Sequence, residues 1–213
     1  MRRRSIALIV AGCALGVATL AQSPPRSPRE ALLHPETLTE AAPDMYKVIV
    51  EASTGIFVIQ VHRAWAPLAA DRFHDLVKRG FYDDCRFFRV VKDFVAQFGI
   101  HGDPAVSAVW SKATLAPERA RLSNTRGRVT FAMGAMADTR TTQVFINIGN
   151  NSRLDIDGFA PFGEVVTSML IVERIFSEYG EGADQSRIQA EGNLFLTKYL
   201  PRLDYIKKAT IEP

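Results

Sequence analysis

The stretch Phe87-Phe88-Arg89-Val90-Val91-Lys92-Asp93-Phe94-Val95-Ala96-Gln97-Phe98-Gly99 constrains the fold more than any other part of the chain. It is mostly apolar and rich in the β-branched and aromatic residues that suit a pleated sheet. Its one polar break, Lys92-Asp93, reads as a turn between two short strands. Arg89 and Gln97 are set into this apolar run. A guanidinium cannot shed its charge, so an arginine partly withdrawn from water needs hydrogen-bonding partners or a ligand. Gln97 can supply one partner and leave other donors for something else. The alternative is that Arg89 snorkels at a sheet edge while Gln97 faces water. Spacing alone favours that alternative, and the motifs downstream reverse the weighting.

Short strand signals recur along the chain. Residues 46–53 and 56–61 flank a Thr54-Gly55 turn, and residues 128–133, 162–166 and 204–211 read as further strands. Over 142–148 a period of two sets Gln143, Phe145 and Asn147 on one face and Val144 and Ile146 on the other. Pro67 opens a helix with an apolar stripe of Leu68, Phe73, Leu76 and Val77, and Gly80 closes it. A second helix is expected over 168–179, with Thr167 as N-cap and Met169, Val172, Ile175 and Phe176 as its buried stripe. Residues 193–199 suggest a short helix stopped by Pro201. Residues 103–127 read as a long irregular segment, and 134–142 and 150–161 as loops. Strands that do not alternate regularly with helices point to a mainly β fold, a barrel or sandwich with helical plugs.

Residues 1–21 carry Arg2, Arg3 and Arg4 ahead of an apolar run that is short for a membrane span, the pattern of an export signal. Val10-Ala11-Gly12-Cys13 offers a second reading, lipidation at Cys13. Residues 22–44 are rich in Pro, Ser, Arg and Glu and read as a disordered linker, which leaves 45–213 as one domain. The three N-terminal arginines account for the whole formal charge of +3, so nothing argues for nucleic acid or an acidic surface as partner. Cys85 is then the one cysteine of the mature chain, expected as a buried small hydrophobe. His34, His62, His74 and His101 form no pair at metal-binding helical spacing, and Asp155-Ile156-Asp157-Gly158 lacks the spacing of a calcium loop. No metal or other cofactor is expected.

Phe88-Arg89-Val90-Val91-x-x-Phe94-Val95-x-Gln97, followed by Gly102-Asp103, resembles the signature of the cyclophilin peptidyl-prolyl isomerases. Gln143-Val144-Phe145-Ile146 resembles a second family motif, and Leu154-Asp155 with Phe162-Gly163-Glu164-Val165 a third. The likeness runs from about Tyr46 to Ile211 in the family's order. It implies an eight-stranded antiparallel β-barrel capped by two α-helices, and an enzyme that accelerates rotation about X–Pro bonds in proline-containing polypeptides. By resemblance, Arg89 is the catalytic arginine and Gln97 orients it. Phe94, Val95, Phe145 and Leu154 line the proline pocket, with Phe159 where many members have a histidine. Gln143 and the backbone around Ala132 and Met133 bind the substrate chain. Val95 replaces a frequent Met, and Arg153 replaces a Trp associated with cyclosporin binding, so that sensitivity does not carry over. Residues 180–201 are longer than the common pattern. The expectation is an exported, periplasmic isomerase assisting folding. The alternative is a proline-peptide-binding chaperone or assembly module with weak or no turnover.

Overall fold

The computed structural model describes residues 27–37 and 40–212. The expected export signal, and Cys13 with its lipid-anchor reading, lie outside the described residues. Eight strands carry the fold: β1 Met45–Ala52, β2 Gly55–His62, β3 Arg89–Val91, β4 Val95–Phe98, β5 Arg128–Phe131, β6 Val144–Asn147, β7 Pro161–Val165 and β8 Ile206–Ile211. They form one sheet in the order β3-β4-β6-β5-β7-β2-β1-β8, and every paired neighbour is antiparallel. The sheet curls until its two edges meet. Arg86 bridges Tyr205, Phe87 N–H donates to the Asp204 carbonyl at 2.9 Å, and Ile206 N–H donates to the Cys85 carbonyl at 2.9 Å. These contacts tie the two ends of the curled sheet together just before β3 and around the start of β8.

Strand alternation decides which residues fill the barrel. Val90 pairs with Ala96, Ala96 with Ile146, and Ile146 with Val129. All four are buried in the main core with Phe57, Phe98, Phe131 and Phe162. Helix α2, Pro67–Lys78, buries Ala69, Ala70, Phe73, Leu76 and Val77 against that core. Leu68, expected in the stripe, is instead exposed. Gly80 follows the Arg79 C-cap at φ 72°, the left-handed position its place in the sequence indicates. Cys85 is fully buried, and burial pushes its thiol pKa up. Among the described residues no helix is long and apolar enough to cross a membrane.

Four segments differ from the sequence-based expectation. The helix expected over 168–179 is a single turn, α4 Met169–Glu173, with Ser168 rather than Thr167 at its N-cap. The Thr167 hydroxyl accepts from Val58 N–H at 2.8 Å. Phe176 N–H donates to the Asp204 carboxylate at 2.8 Å instead of continuing a helix. Within the expected irregular segment lies α3, Pro104–Trp110, capped by Asp103 with Pro104 in its first turn, a start signal legible in the sequence. Within the expected disordered linker lies α1, Pro28–Leu32, capped by Ser27. It is docked, since Trp110 Nε1 donates to the Leu32 carbonyl at 2.7 Å and Arg79 Nη1 to the Ala31 carbonyl at 3.1 Å. Finally, α5, Gln185–Glu191, precedes the expected helix over 193–199, here α6 Asn193–Tyr199. These two helices bury Ile188, Phe195 and Leu196 in a second small core with Phe88, Ile100 and Leu203.

His101 lies beside α3 and accepts from Asp103 N–H through Nδ1 at 2.9 Å, with its ring 5.1 Å from that of Phe81. Burial holds its pKa below the ordinary histidine value. As pH falls, the unfolded chain therefore takes up this proton before the folded one does. The associated stability is complete above about pH 6.5 and declines as pH falls toward the folded-state value. Asp103 and Asp155 have pKa values held below the ordinary carboxylate range, so their contributions are lost only at more acid pH. The melting temperature is expected to fall between pH 7 and 5, and His101→Gln to flatten that slope when both proteins are followed by circular dichroism.

Candidate active site

The strand register builds the site. Arg89 pairs with Gln97, and Gln97 with Phe145, so one residue from each of β3, β4 and β6 lies in a single cross-strand row. This row alternates with the inward row of Val90, Ala96 and Ile146, and therefore faces away from the barrel interior. Val95, two residues from Gln97, shares its face. Phe94 precedes β4 in the turn at Asp93, whose φ of 57° is left-handed. That turn takes Phe94 out of the alternation that puts Ala96 and Phe98 inside. The loop after β5 brings Ala132 and Met133, the residue just before β6 is Gln143, and the loop before β7 brings Leu154 and Phe159. All ten of the residues singled out from the sequence line one groove of about 470 Å³. Val95 and Phe145 are buried at its base, and the Phe159 ring stands edge-on to Phe145 at 5.7 Å.

Arg89 reaches into this groove on a fixed mount. Its Nη1 donates to Gln97 Oε1 at 3.1 Å, and Gln97 Nε2 donates to Gln143 Oε1 at 2.8 Å. The guanidinium carbon lies 5.3 Å from the Phe94 ring centroid. Arg153, where the family often has Trp, places its own guanidinium 4.8 Å from the same ring. Arg89 Nε also donates to Glu181 Oε1 at 3.0 Å, and Nη2 donates to the same oxygen.

The groove walls are held by buried polar side chains. Asn124 is fully buried. Its Nδ2 donates to the Phe159 carbonyl and to Asp155 Oδ1, each at 2.8 Å, while its Oδ1 accepts from Thr130 Oγ1 at 2.8 Å. Burial acts to raise the Asp155 pKa, but hydrogen bonds from Ser123 and Asn124 outweigh it and hold the carboxyl below its ordinary range. Asn151 Nδ2 donates to the Phe94 carbonyl at 2.8 Å, joining the wall that carries Leu154 to the turn that carries Phe94. On the other side, Arg72 Nη1 donates to the Ala113 and Thr141 carbonyls at 2.7 and 3.2 Å. Gly99 has a φ of 102°, and a Cβ there would stand 2.5 Å from the Thr142 carbonyl oxygen. Only glycine lets β4 end this close to the chain that delivers Gln143.

Sequence reasoning missed Glu181 and Gln185, the latter at the start of α5 and lining the groove. Glu181 is 92 residues from Arg89, and no local pattern marks it. Asn124 was also missed. An asparagine in a loop reads as turn-forming until its burial is known.

Residues 47–192 match the model of the cyclophilin-type peptidyl-prolyl cis-trans isomerase family. A peptidyl-prolyl cis-trans isomerase of Acinetobacter baylyi is 32% identical over 136 residues, 60% of this chain and 70% of that protein. Peptidyl-prolyl cis-trans isomerase B of Escherichia coli is 30% identical over 136 residues, 60% of this chain and 82% of that protein. Among solved structures, a cyclophilin-type isomerase of Cryptosporidium parvum, determined in the presence of the dipeptide Ala-Pro, superposes with a TM-score of 0.58 at 18% identity, over 78% of this chain and 99% of that one. A cyclophilin of Hirschia baltica gives 0.59 at 15% identity, over 86% and 80%. These structures share the fold. The chain belongs to the cyclophilin-type peptidyl-prolyl cis-trans isomerase family, a family of enzymes.

Replacing Asn124 by Ala leaves the Thr130 hydroxyl, the Phe159 carbonyl and Asp155 short of partners in a buried place. Urea unfolding is expected to show a loss of about 1–3 kcal/mol, the cost of unsatisfied buried groups. Binding of a proline peptide should weaken with it, because the Leu154–Phe159 wall loses its tie.

Proposed function

We propose that this chain accelerates cis–trans rotation about X–Pro bonds in proline-containing polypeptides, with Arg89 stabilising the twisted imide. The observation that carries the reading is Arg89 itself, a guanidinium bonded to Gln97, which Gln143 holds in turn, beside a groove that includes Phe94, Val95, Phe145, Leu154 and Phe159. Rotation about an X–Pro bond is opposed by amide resonance, a barrier of about 18–20 kcal/mol, and takes tens to hundreds of seconds unaided. As the bond twists, the prolyl nitrogen pyramidalises and its lone pair localises. A donor aimed at that nitrogen is worth more in the twisted state than in the planar one, and only that difference speeds the reaction.

A 10⁵-fold acceleration corresponds to about 7 kcal/mol. One hydrogen bond from a charged group contributes roughly 1.5–3 kcal/mol. The rest has to come from a site already arranged for the twisted state, in which polar groups do not reorganise and the ring is held still. Phe94, Val95, Phe145, Leu154 and Phe159 supply an apolar seat of the right chemistry for a pyrrolidine ring. Gln143 and the backbone at Ala132 and Met133 stand along the groove where an extended peptide would lie. None of these steps moves a proton.

The arginine-rich start of residues 1–21 supports an exported, periplasmic location, where the clients are chains folding after transport. N-terminal sequencing of the mature protein, set against a Cys13→Ser variant, separates signal cleavage from lipid attachment.

Arg89→Ala is expected to lower the isomerisation rate of an Ala-Pro test peptide by about two orders of magnitude or more, with an unchanged circular dichroism spectrum. Arg89→Lys should recover little of it, because an ammonium cannot hold the Gln97 bond and a second directed donor in one plane. Wild-type activity in Arg89→Ala would remove the mechanism. A wild-type protein that binds the peptide without turning it over would favour the chaperone or assembly-module reading.

A further inference from the structure

The segment 180–201, longer than the common family pattern, reaches the catalytic groove. It leaves the sheet after α4, turns at Gly180 and Gly182, and forms α5 and α6. Its seat is specific. Ile188, Phe195 and Leu196 pack with Phe88, the residue immediately before Arg89. Asn193 N–H donates to the Gly102 carbonyl at 3.0 Å, and Asn193 Nδ2 to Asp84 Oδ2 at 2.8 Å. At Gly192 the backbone lies so near Gly102 that a Cβ would fall 2.0 Å from its carbonyl oxygen. The same arm that packs against Phe88 brings Glu181 to Arg89 and Gln185 to the groove.

An exposed ion pair is ordinarily of little consequence, and the Glu181 side chain is 66% exposed. Its partner distinguishes this one. Arg89 has five N–H donors in a plane. Gln97 takes one on Nη1, while Glu181 Oε1 takes Nε and one on Nη2. The plane is thus fixed from two sides, by an amide rising from the sheet and a carboxylate descending from the arm. With Gln97 alone the guanidinium could still swing about that single bond. Arg89 lines the groove together with Gln185 of the same arm, and the Glu181 carboxylate takes the Nε–Nη2 edge of the guanidinium. One N–H on each of Nη1 and Nη2 remains uncommitted among the described contacts.

We propose that Glu181 is a positioning residue for Arg89, and that the α5–α6 arm is an added part of the active site that sets the arginine's plane. This rests on the assignment of Arg89 as the group acting on the twisted imide. Orientation matters there more than charge. Fixing a group in the geometry of the twisted state raises kcat with little effect on substrate affinity, because the planar substrate gains nothing from it.

The test compares wild type with Glu181→Ala, Glu181→Gln and Arg89→Ala, using an Ala-Pro peptide, melting temperatures, and the ¹H–¹⁵N resonance of the Arg89 Nε–H. Glu181→Ala should lower kcat by about tenfold, the scale of a modest misplacement, with KM and melting temperature near wild type. Its Nε–H resonance should shift and broaden. Glu181→Gln keeps an acceptor oxygen and should restore most of kcat. Unchanged kcat and an unchanged Nε–H resonance in Glu181→Ala would overturn the proposal. A raised kcat would also overturn it, because the carboxylate would then be competing with the peptide. If Arg89→Ala keeps wild-type activity, the underlying assignment fails and takes this inference with it. If Arg89→Ala is inactive while Glu181→Ala is normal, only the inference fails.

Discussion

The site depends on the cost of holding a permanent charge where water is scarce. Arg89 is the first residue of β3, and the core on the other face of the sheet leaves it no path inward. Its guanidinium instead lies along the sheet, and the Gln97 and Gln143 side chains relay its hydrogen bond across β4 to the start of β6. Each member satisfies the next, so removing one leaves a polar group short of a partner in a half-dry place. The same chain of bonds that makes the charge tolerable also fixes where it points. In the proposed mechanism, stability and chemistry are carried by one set of contacts.

Buried amides serve the groove's walls in a similar way. Asn124, Asn147 and Asn151 are nearly or fully inaccessible, and they join the loop carrying Leu154 and Phe159 to the turn carrying Phe94. Loops carry no regular hydrogen-bond ladder, and here side chains substitute for one. A groove built this way can be apolar where a ring sits and rigid behind it.

Much of this was legible in the sequence. Alternation separates Gln143, Phe145 and Asn147 from Val144 and Ile146, and β6 follows it, but only the register joins Phe145 to Gln97 and Arg89 in one row. Phe94 obeys a different rule, because the left-handed Asp93 turn moves it off the strand's alternation. Short capped helices were harder. Asp103-Pro104 and Ser27-Pro28 each carry a helix start; a polar, proline-rich surround hid the second, and the first opens a helix of only seven residues inside a long stretch without regular period. What local pattern could not supply was pairing at long range. Phe176 leaves the helical path because Asp204 meets its N–H. Glu181 reaches Arg89 because the two-helix arm that follows it packs against Phe88. Both facts follow from tertiary contacts that no window of sequence contains.

The most direct measurement of the central claim is a crystal structure of the mature chain with a bound peptide containing Ala-Pro. The account predicts the pyrrolidine ring against Phe145 and Leu154, with an Arg89 Nη within hydrogen-bonding distance of the prolyl amide and the Gln97 contact intact. A peptide bound in the groove with Arg89 turned to solvent, or a ring seated elsewhere, would contradict it.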